Sequence, residues 1–147
     1  MPTYNVHYPE GFLAPAQKQG LAKAITRTHS GVTGAQQFFA QVLFREIPEG
    51  NWYVAGEPLT APHLFVFGHL RAGRSLEVKA RLLRGLRDVL VELGGVTPER
   101  AWVYLSDVPA AHIIEYGDIL PEPGSEEQWL ARLPEAARKL LGGLASK

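Results

Sequence analysis

The feature that most constrains the fold is an internal repeat, in which the two halves of the chain match at a spacing of roughly 61 residues. Pro48 aligns with Pro109, Gly56 aligns with Gly117, and the segment "QVLFREIP" matches "WVYLSDVP". Each half reads as a strand, a helix, a second strand and then a short strand or hairpin. A repeat of this length predicts that one supersecondary unit is used twice.

The length of 147 residues is enough for one domain with a substantial core. We therefore predict a single domain over residues 1–147. Its parts are a first repeat over about 2–61, a second repeat over about 62–120, and a C-terminal extension over 121–147.

Hydrophobic periodicity predicts the individual elements of both halves and of the extension. Strands are predicted over residues 3–8, 38–47, 51–56, 63–70, 101–108 and 112–117. Helices are predicted over residues 15–29, over 75–95 with Ser75 as N-cap, and over about 126–142 with a bend or cap near Pro134. The acidic, proline-rich stretch 121–127 is most simply a linker.

The order of these elements predicts an α/β fold of the α+β kind. A strand joined through a helix to a parallel neighbour crosses over right-handedly, so two such units side by side form a four-stranded, mainly parallel or mixed sheet. Both helices then lie on one face of the sheet. The other face is apolar and lacks a cover in a single chain, which predicts self-association.

Composition excludes several classes of function. Fifteen basic side chains balance fifteen acidic ones, so no net charge favours nucleic acid as a partner. The absence of cysteine excludes disulfides, thiolate metal sites and a cysteine nucleophile. The N-terminus lacks the features of a signal peptide, and no apolar run approaches the roughly 20 residues needed to cross a bilayer. We expect a cytoplasmic protein with no membrane partner.

The stretch "FVFGHLRAGRS", residues 65–75, resembles a phosphate-binding loop because Gly68 and Gly73 precede Arg74 and Ser75. The lysine of such loops is missing, and a complete strand-helix-strand unit precedes the stretch, so a nucleotide site is disfavoured. Arg71 and Arg74 between a strand end and a helix start remain candidates for holding a carboxylate. A solvated basic turn is the alternative interpretation.

Pro2 directly follows the initiator methionine, which is normally removed before a small residue such as proline. Removal leaves a secondary amine at the N-terminus. A carboxylate nearby would keep this amine cationic and suit it to act as an acid, whereas two arginines nearby would lower its pKa and suit it to act as a base. Taken alone, Pro2 is better explained as a residue that merely follows the start codon.

Six separated positions together resemble the tautomerase superfamily, specifically the cis-3-chloroacrylic acid dehalogenase family. The similarity also runs through "LAKAITRTHSGVTGAQQFFAQV", "GRS", "WVYLSDVPA" and "EYGDILPEPG". The resemblance implies Pro2 as catalyst, a glutamate assisted by a tyrosine that activates water, and two arginines with a histidine that hold the substrate carboxylate. It also implies a homotrimer. The six positions are Pro2, His29, Arg71, Arg74, Tyr104 and Glu115.

The residue types suit hydration of an alkene or alkyne conjugated to a carboxylate. The arginines would polarise the carboxylate, Glu115 would take a proton from water directed by Tyr104, and Pro2 would protonate C-2. We therefore predict a cofactor-independent hydratase or hydrolytic dehalogenase of small cis-3-substituted acrylic or acetylenic acids. A keto-enol tautomerase of 2-oxo acids such as phenylpyruvate and a non-catalytic oligomeric anion-binding protein are the alternatives. The spacing of the other histidines predicts no metal site.

Overall fold

The computed structural model describes residues 2–145 and contains a four-stranded mixed sheet flanked by two short hairpins. The strands of the sheet are β1 Thr3–Pro9, β2 Gln41–Ile47, β5 Leu64–Arg71 and β6 Ala101–Val108, and the hairpin strands are β3 Tyr53–Val54, β4 Glu57–Pro58, β7 Ile114–Glu115 and β8 Asp118–Ile119. Within the sheet the strands follow the order β2-β1-β5-β6.

The internal repeat is visible in the pairing of the strands. β1 pairs in parallel with β2, β5 pairs in parallel with β6, and the two pairs meet where β1 runs antiparallel to β5 with Val6 opposite Val66. The two hairpins turn at Ala55 and Tyr116, which both have a φ of 54° and lie 61 positions apart. The predicted fold class, a mixed sheet built from two strand-helix-strand units, is confirmed.

The two long helices, α1 Pro15–Thr33 and α2 Leu76–Gly94, have start signals that are legible in the sequence. Pro15 occupies the first turn of α1, where a missing backbone N–H costs nothing. At the start of α2, the Ser75 hydroxyl accepts a hydrogen bond from the backbone N–H of Val78 over 3.2 Å. Each helix ends at a glycine in the left-handed conformation.

The main core lies between the helices and one face of the sheet. Along β5 every second side chain is buried, as expected for a strand with one covered face. Gly68 within this strand leaves room for the Tyr4 ring, because a Cβ atom there would lie 2.7 Å from Tyr4 Cε1. The phosphate-loop interpretation of this stretch is therefore wrong on structural grounds: Gly68 is a strand residue under an aromatic ring, not a loop residue.

The opposite face of the sheet is open and aromatic. Phe65 contacts Tyr104 edge to face at a centroid distance of 4.9 Å, and Phe67 stacks over Phe65. On β6, 55% of the Tyr104 surface and 37% of the Trp102 surface are exposed to solvent. No element within residues 2–145 covers this aromatic open face.

The C-terminal extension folds back as two helices, α3 Glu126–Arg132 and α4 Glu135–Ala145, separated at Pro134. This agrees with the break expected from that proline. A second apolar cluster contains the buried side chains of Trp129, Leu133 and Leu141. Among residues 2–145, no helix combines the length and apolar character needed to span a membrane.

Candidate active site

A cavity of about 370 Å³ lies where the start of β1 meets the end of β5. Because β5 runs antiparallel to β1, with Thr3 opposite His69, the residue before β1 lies next to the residues after β5. Pro2, Arg71 and Arg74 therefore line one cavity. Met1, whose removal would free the Pro2 amine, lies outside the described residues.

The two arginines are held differently. Arg71 Nη1 donates to the carbonyl oxygen of Pro121 over 2.8 Å, and Arg71 Nη2 donates to the carboxylate of Glu126 over 2.5 Å. Arg74 Nη1 donates to the carbonyl oxygen of Arg71 over 2.7 Å, and no other hydrogen bond of Arg74 is formed within residues 2–145. Arg74 therefore keeps N–H groups for a ligand. Burial and the charge of Arg71 lower the pKa of Arg74.

His29 does not line the cavity itself. It is 1% exposed, and its Nδ1 is 2.7 Å from the Tyr4 hydroxyl oxygen. Its Nε2 is buried and has no hydrogen-bond partner within residues 2–145. Burial, with a further contribution from the charge of Arg74, lowers the pKa of His29 to about 4, so the ring is neutral at neutral pH.

This buried histidine predicts an acid-sensitive fold. In the unfolded chain His29 takes up a proton near its ordinary pKa of 6.5, whereas in the folded chain it does so only near 4. The free energy of unfolding should therefore fall as pH drops from 6.5 to 4, by up to about 3 kcal/mol from this group. We expect His29→Gln to flatten the pH dependence of urea unfolding between pH 7 and 4.5.

The exposed His112 supplies a control. His112→Gln removes the same ring from a solvated position and should retain the wild-type slope. An unchanged slope in His29→Gln would show that other groups govern the acid sensitivity.

Glu115 lies at the end of β7, in a second cavity that adjoins the first. Phe39 lines both cavities, and Thr3, which follows Pro2, lines the second one with Glu115. Burial raises the pKa of Glu115, which makes its carboxylate a stronger base than one in water. Glu115 and Pro2 therefore line adjoining cavities that share Phe39.

Tyr104 is a predicted site residue that lines neither of these two cavities. It is on the open face of the sheet, where it contacts Phe65 and lines a shallow recess with Trp52 and Trp102. The cavity that holds Pro2 does not include it. Within a single chain, one cavity brings together Pro2, Arg71 and Arg74, whereas Glu115 lines the adjoining cavity and Tyr104 lines neither.

The cavity also contains residues that the sequence did not assign to the site, although Trp129 was expected to anchor the last helix. Glu126 and Trp129 come from the C-terminal extension, whose stretch 121–127 was expected to be a linker. The Trp129 indole N–H donates to the carbonyl oxygen of Ile119 over 2.9 Å, which fixes α3 beside the cavity. The sequence signal that could have indicated these two residues is an acidic stretch followed closely by a tryptophan.

The second repeat forms a counterpart of the site. A recess of about 430 Å³ is lined by Pro62, Gly95 and Val96. Gly95 and Val96 correspond at the repeat spacing to Gly34 and Ala35, which line the first cavity, and Pro62 lies one position before the counterpart of Pro2. Pro62 lies inside the chain, so its nitrogen is an amide without basicity. The paired arginines have no equivalent in the lining of this recess.

Comparison with known proteins places the chain in a family. A family model described as "Putative oxalocrotonate tautomerase enzyme" matches residues 1–133. No curated protein matches the chain. A crystal structure of N1, a member of the cis-3-chloroacrylic acid dehalogenase family, is 29% identical with a TM-score of 0.90, covering 96% of this chain and 99% of that chain.

Two further structures share the fold over a shorter stretch. Pt0534 inactivated by 2-oxo-3-pentynoate is 25% identical with a TM-score of 0.74, and 80% of this chain and 94% of that chain are covered. The symmetric trimer of the Q0 fused 4-OT is 29% identical with a TM-score of 0.73 and the same coverage. With the family model matching nearly the whole chain and these folds agreeing, the resemblance seen in the sequence is confirmed, and the chain belongs to the tautomerase superfamily of enzymes.

Proposed function

We propose that the protein is a cofactor-independent hydratase or hydrolytic dehalogenase of small cis-3-substituted acrylic or acetylenic acids. The observation that carries this proposal is the cavity in which Pro2 lies with Arg71 and Arg74, beside a second cavity that holds Glu115. An amine, two guanidiniums and a carboxylate are the groups that hydration of an unsaturated acid requires.

The reaction begins with the substrate carboxylate bound by the arginines. Their positive charge draws electrons from the conjugated carbons and makes C-3 electrophilic. Glu115 takes a proton from water, the oxygen bonds to C-3, and the cationic Pro2 amine delivers a proton to C-2. Where C-3 carries a halogen, the hydroxyl-bearing carbon then forms a carbonyl group, and the halide leaves together with a proton.

A keto-enol tautomerase is the second candidate, favoured by the family to which the chain belongs. In that reaction Pro2 acts as the base, and Glu115 and Tyr104 have no necessary part. The position of Tyr104 outside the Pro2 cavity is compatible with this simpler reaction in an isolated chain.

One purified sample assayed with three substrates tests these candidates. We expect turnover of cis-3-chloroacrylate and propiolate to exceed that of phenylpyruvate in kcat/KM. The reverse order would assign the protein as a tautomerase. Turnover of none of the three, with carboxylates still bound, would leave a non-catalytic anion-binding protein.

We also propose a homotrimer. The aromatic open face, including Trp102 and Tyr104, is the kind of surface that a chain of this size covers by association. Burial of this face against a neighbouring copy would also bring Tyr104 toward the site of that copy, where it would direct the attacking water. The structure of the Q0 fused 4-OT is a symmetric trimer.

The assembly has a direct test. Light scattering well above micromolar concentration should give three times the chain mass of 16.2 kDa. Trp102→Glu places a charge in the proposed interface and should reduce the mass, whereas Glu92→Gln, at an exposed position of α2 on the opposite face of the sheet, should not. A wild-type mass of one chain would refute the trimer.

A further inference from the structure

We propose that Glu126 determines which ligand charge the site accepts, so that monocarboxylates bind and dicarboxylates are rejected. This inference deepens the proposed function and rests on the carboxylate site formed by Arg71 and Arg74. Glu126 belongs to the C-terminal extension and is 55 positions from Arg71 in the sequence.

Glu126 is anchored at both oxygens. Its Oε1 accepts from Arg71 Nη2 over 2.5 Å, and its Oε2 accepts from the backbone N–H of Gly124 over 2.8 Å. Arg71 is anchored in turn by the carbonyl oxygen of Pro121 over 2.8 Å. The Pro123 ring closes over Gly73, where an added Cβ would lie 3.0 Å from Pro123 Cγ. The carboxylate is therefore a fixed part of the cavity wall.

This carboxylate changes the charge that a ligand meets. Arg71 and Arg74 carry two positive charges, and Glu126 offsets one of them, which leaves a net charge of one. The Arg71 side chain is 14% exposed and that of Glu126 is 37% exposed, so water screens the pair only in part. One net positive charge matches one substrate carboxylate.

The other charged groups around the cavity do not alter this balance. Glu127 lines the rim but is exposed to water. Asp107 acts on Arg74 as Glu126 does, but the charge of Asp107 is balanced by Lys79, which lies 2.6 Å away on the helix side of the sheet. The Pro2 amine and Glu115 carry opposite charges in the proposed reaction and offset each other.

A second carboxylate on the ligand would therefore meet Glu126 instead of an unpaired cation. The cavity of about 370 Å³ is large enough for a four-carbon dicarboxylate, so volume does not exclude such a ligand. Repulsion between the second carboxylate and Glu126 in a partly desolvated site is what excludes the dicarboxylate. Rejection of the dianion by a fixed negative group is a means of specificity that needs no extra contact with the preferred ligand.

The experiment compares propionate and succinate, which have no double bond to hydrate, as ligands of the full chain. Dissociation constants are measured by ligand-observed NMR for the wild type, for Glu126→Gln and for Glu122→Gln. The glutamine introduced by Glu126→Gln would keep one oxygen acceptor for Arg71, and it would lose both the charge and the acceptor of the Gly124 N–H. Glu122 is an exposed acid of the same segment with no side-chain hydrogen bond or ion pair among the described residues, so its variant controls for a change in net charge.

We expect the wild type and Glu122→Gln to bind propionate at least tenfold more tightly than succinate. In Glu126→Gln the ratio should shift at least tenfold toward succinate. If both acids weaken together at an unchanged ratio, Glu126 only fastens the extension and the inference is wrong. The inference is also wrong if Glu126→Gln leaves both dissociation constants unchanged.

The outcome is separable from that of the proposed function. A shifted ratio without turnover of any unsaturated acid would support the charge selection and refute the hydratase. Turnover of cis-3-chloroacrylate without a shift in the binding ratio would support the hydratase and refute the charge selection. If the wild type binds neither propionate nor succinate, no carboxylate site exists and both proposals fail.

Discussion

Pro2→Ala should lower kcat for hydration by about 100-fold to 10,000-fold, the range that a positioned proton donor contributes. The substitution replaces a secondary amine with a primary one at the edge of the cavity that also holds Arg71 and Arg74. A chain that keeps Met1 should be equally inactive, because its Pro2 nitrogen is then a tertiary amide with no proton. Intact-mass spectrometry should show that the active species lacks one methionine.

Pro62→Ala is the matched control, since it changes the proline that precedes the first strand of the second repeat, in a recess without the paired arginines. It should leave kcat within about twofold of the wild type. The pH-rate profile provides the sharper test of the assigned role. A hydration rate that rises as the proline amine loses its proton would show that Pro2 acts as a base, contrary to the proposed mechanism.

Glu115→Gln should also lower kcat by about 100-fold or more with little change in KM, since the proton transfer belongs to the transition state. The wild-type rate should fall on the acid side as Glu115 becomes protonated. Because burial raises the pKa of Glu115, this fall should occur at a higher pH than for an ordinary glutamate. In the Glu115→Gln variant the acid limb should disappear from the residual rate.

Glu57→Gln is a suitable control because Glu57 is exposed on the β3–β4 hairpin, the first-repeat counterpart of the hairpin that carries Glu115. It should retain both kcat and the acid limb. A Glu115→Gln variant that hydrates cis-3-chloroacrylate at the wild-type rate would remove Glu115 from the mechanism.

Local signals were sufficient to predict most of the fold. The hydroxyl of Ser75 and the ring of Pro15 mark helix starts through interactions within one turn, so the sequence shows them directly. The strand boundaries were less well predicted: the strand expected from residue 38 begins at Gln41, after a 3-10 turn over Gln37–Phe39. Aromatic residues have high strand propensity, and packing of Phe38 and Phe39 against the C-terminal cluster overrides it here.

The candidate site was predicted less completely than the fold. The chain order brings Pro2 beside Arg71 because β1 and β5 are antiparallel neighbours, a consequence of the repeat. The role of Glu126 depends instead on how the extension folds back over 55 positions, and no periodic pattern encodes that contact. The position of Tyr104 follows from strand alternation, which puts it on the face away from the helices.

The recess around Pro62 shows that duplication reproduces a shape more readily than a reactive group. A catalytic side chain is copied along with its codon, but an α-amine exists only where a polypeptide begins. Joining two ancestral units head to tail therefore silences one of every two such amines by forming a peptide bond. The second recess therefore has no amine to offer a ligand, and Pro62 serves only as part of the backbone that leads into β5.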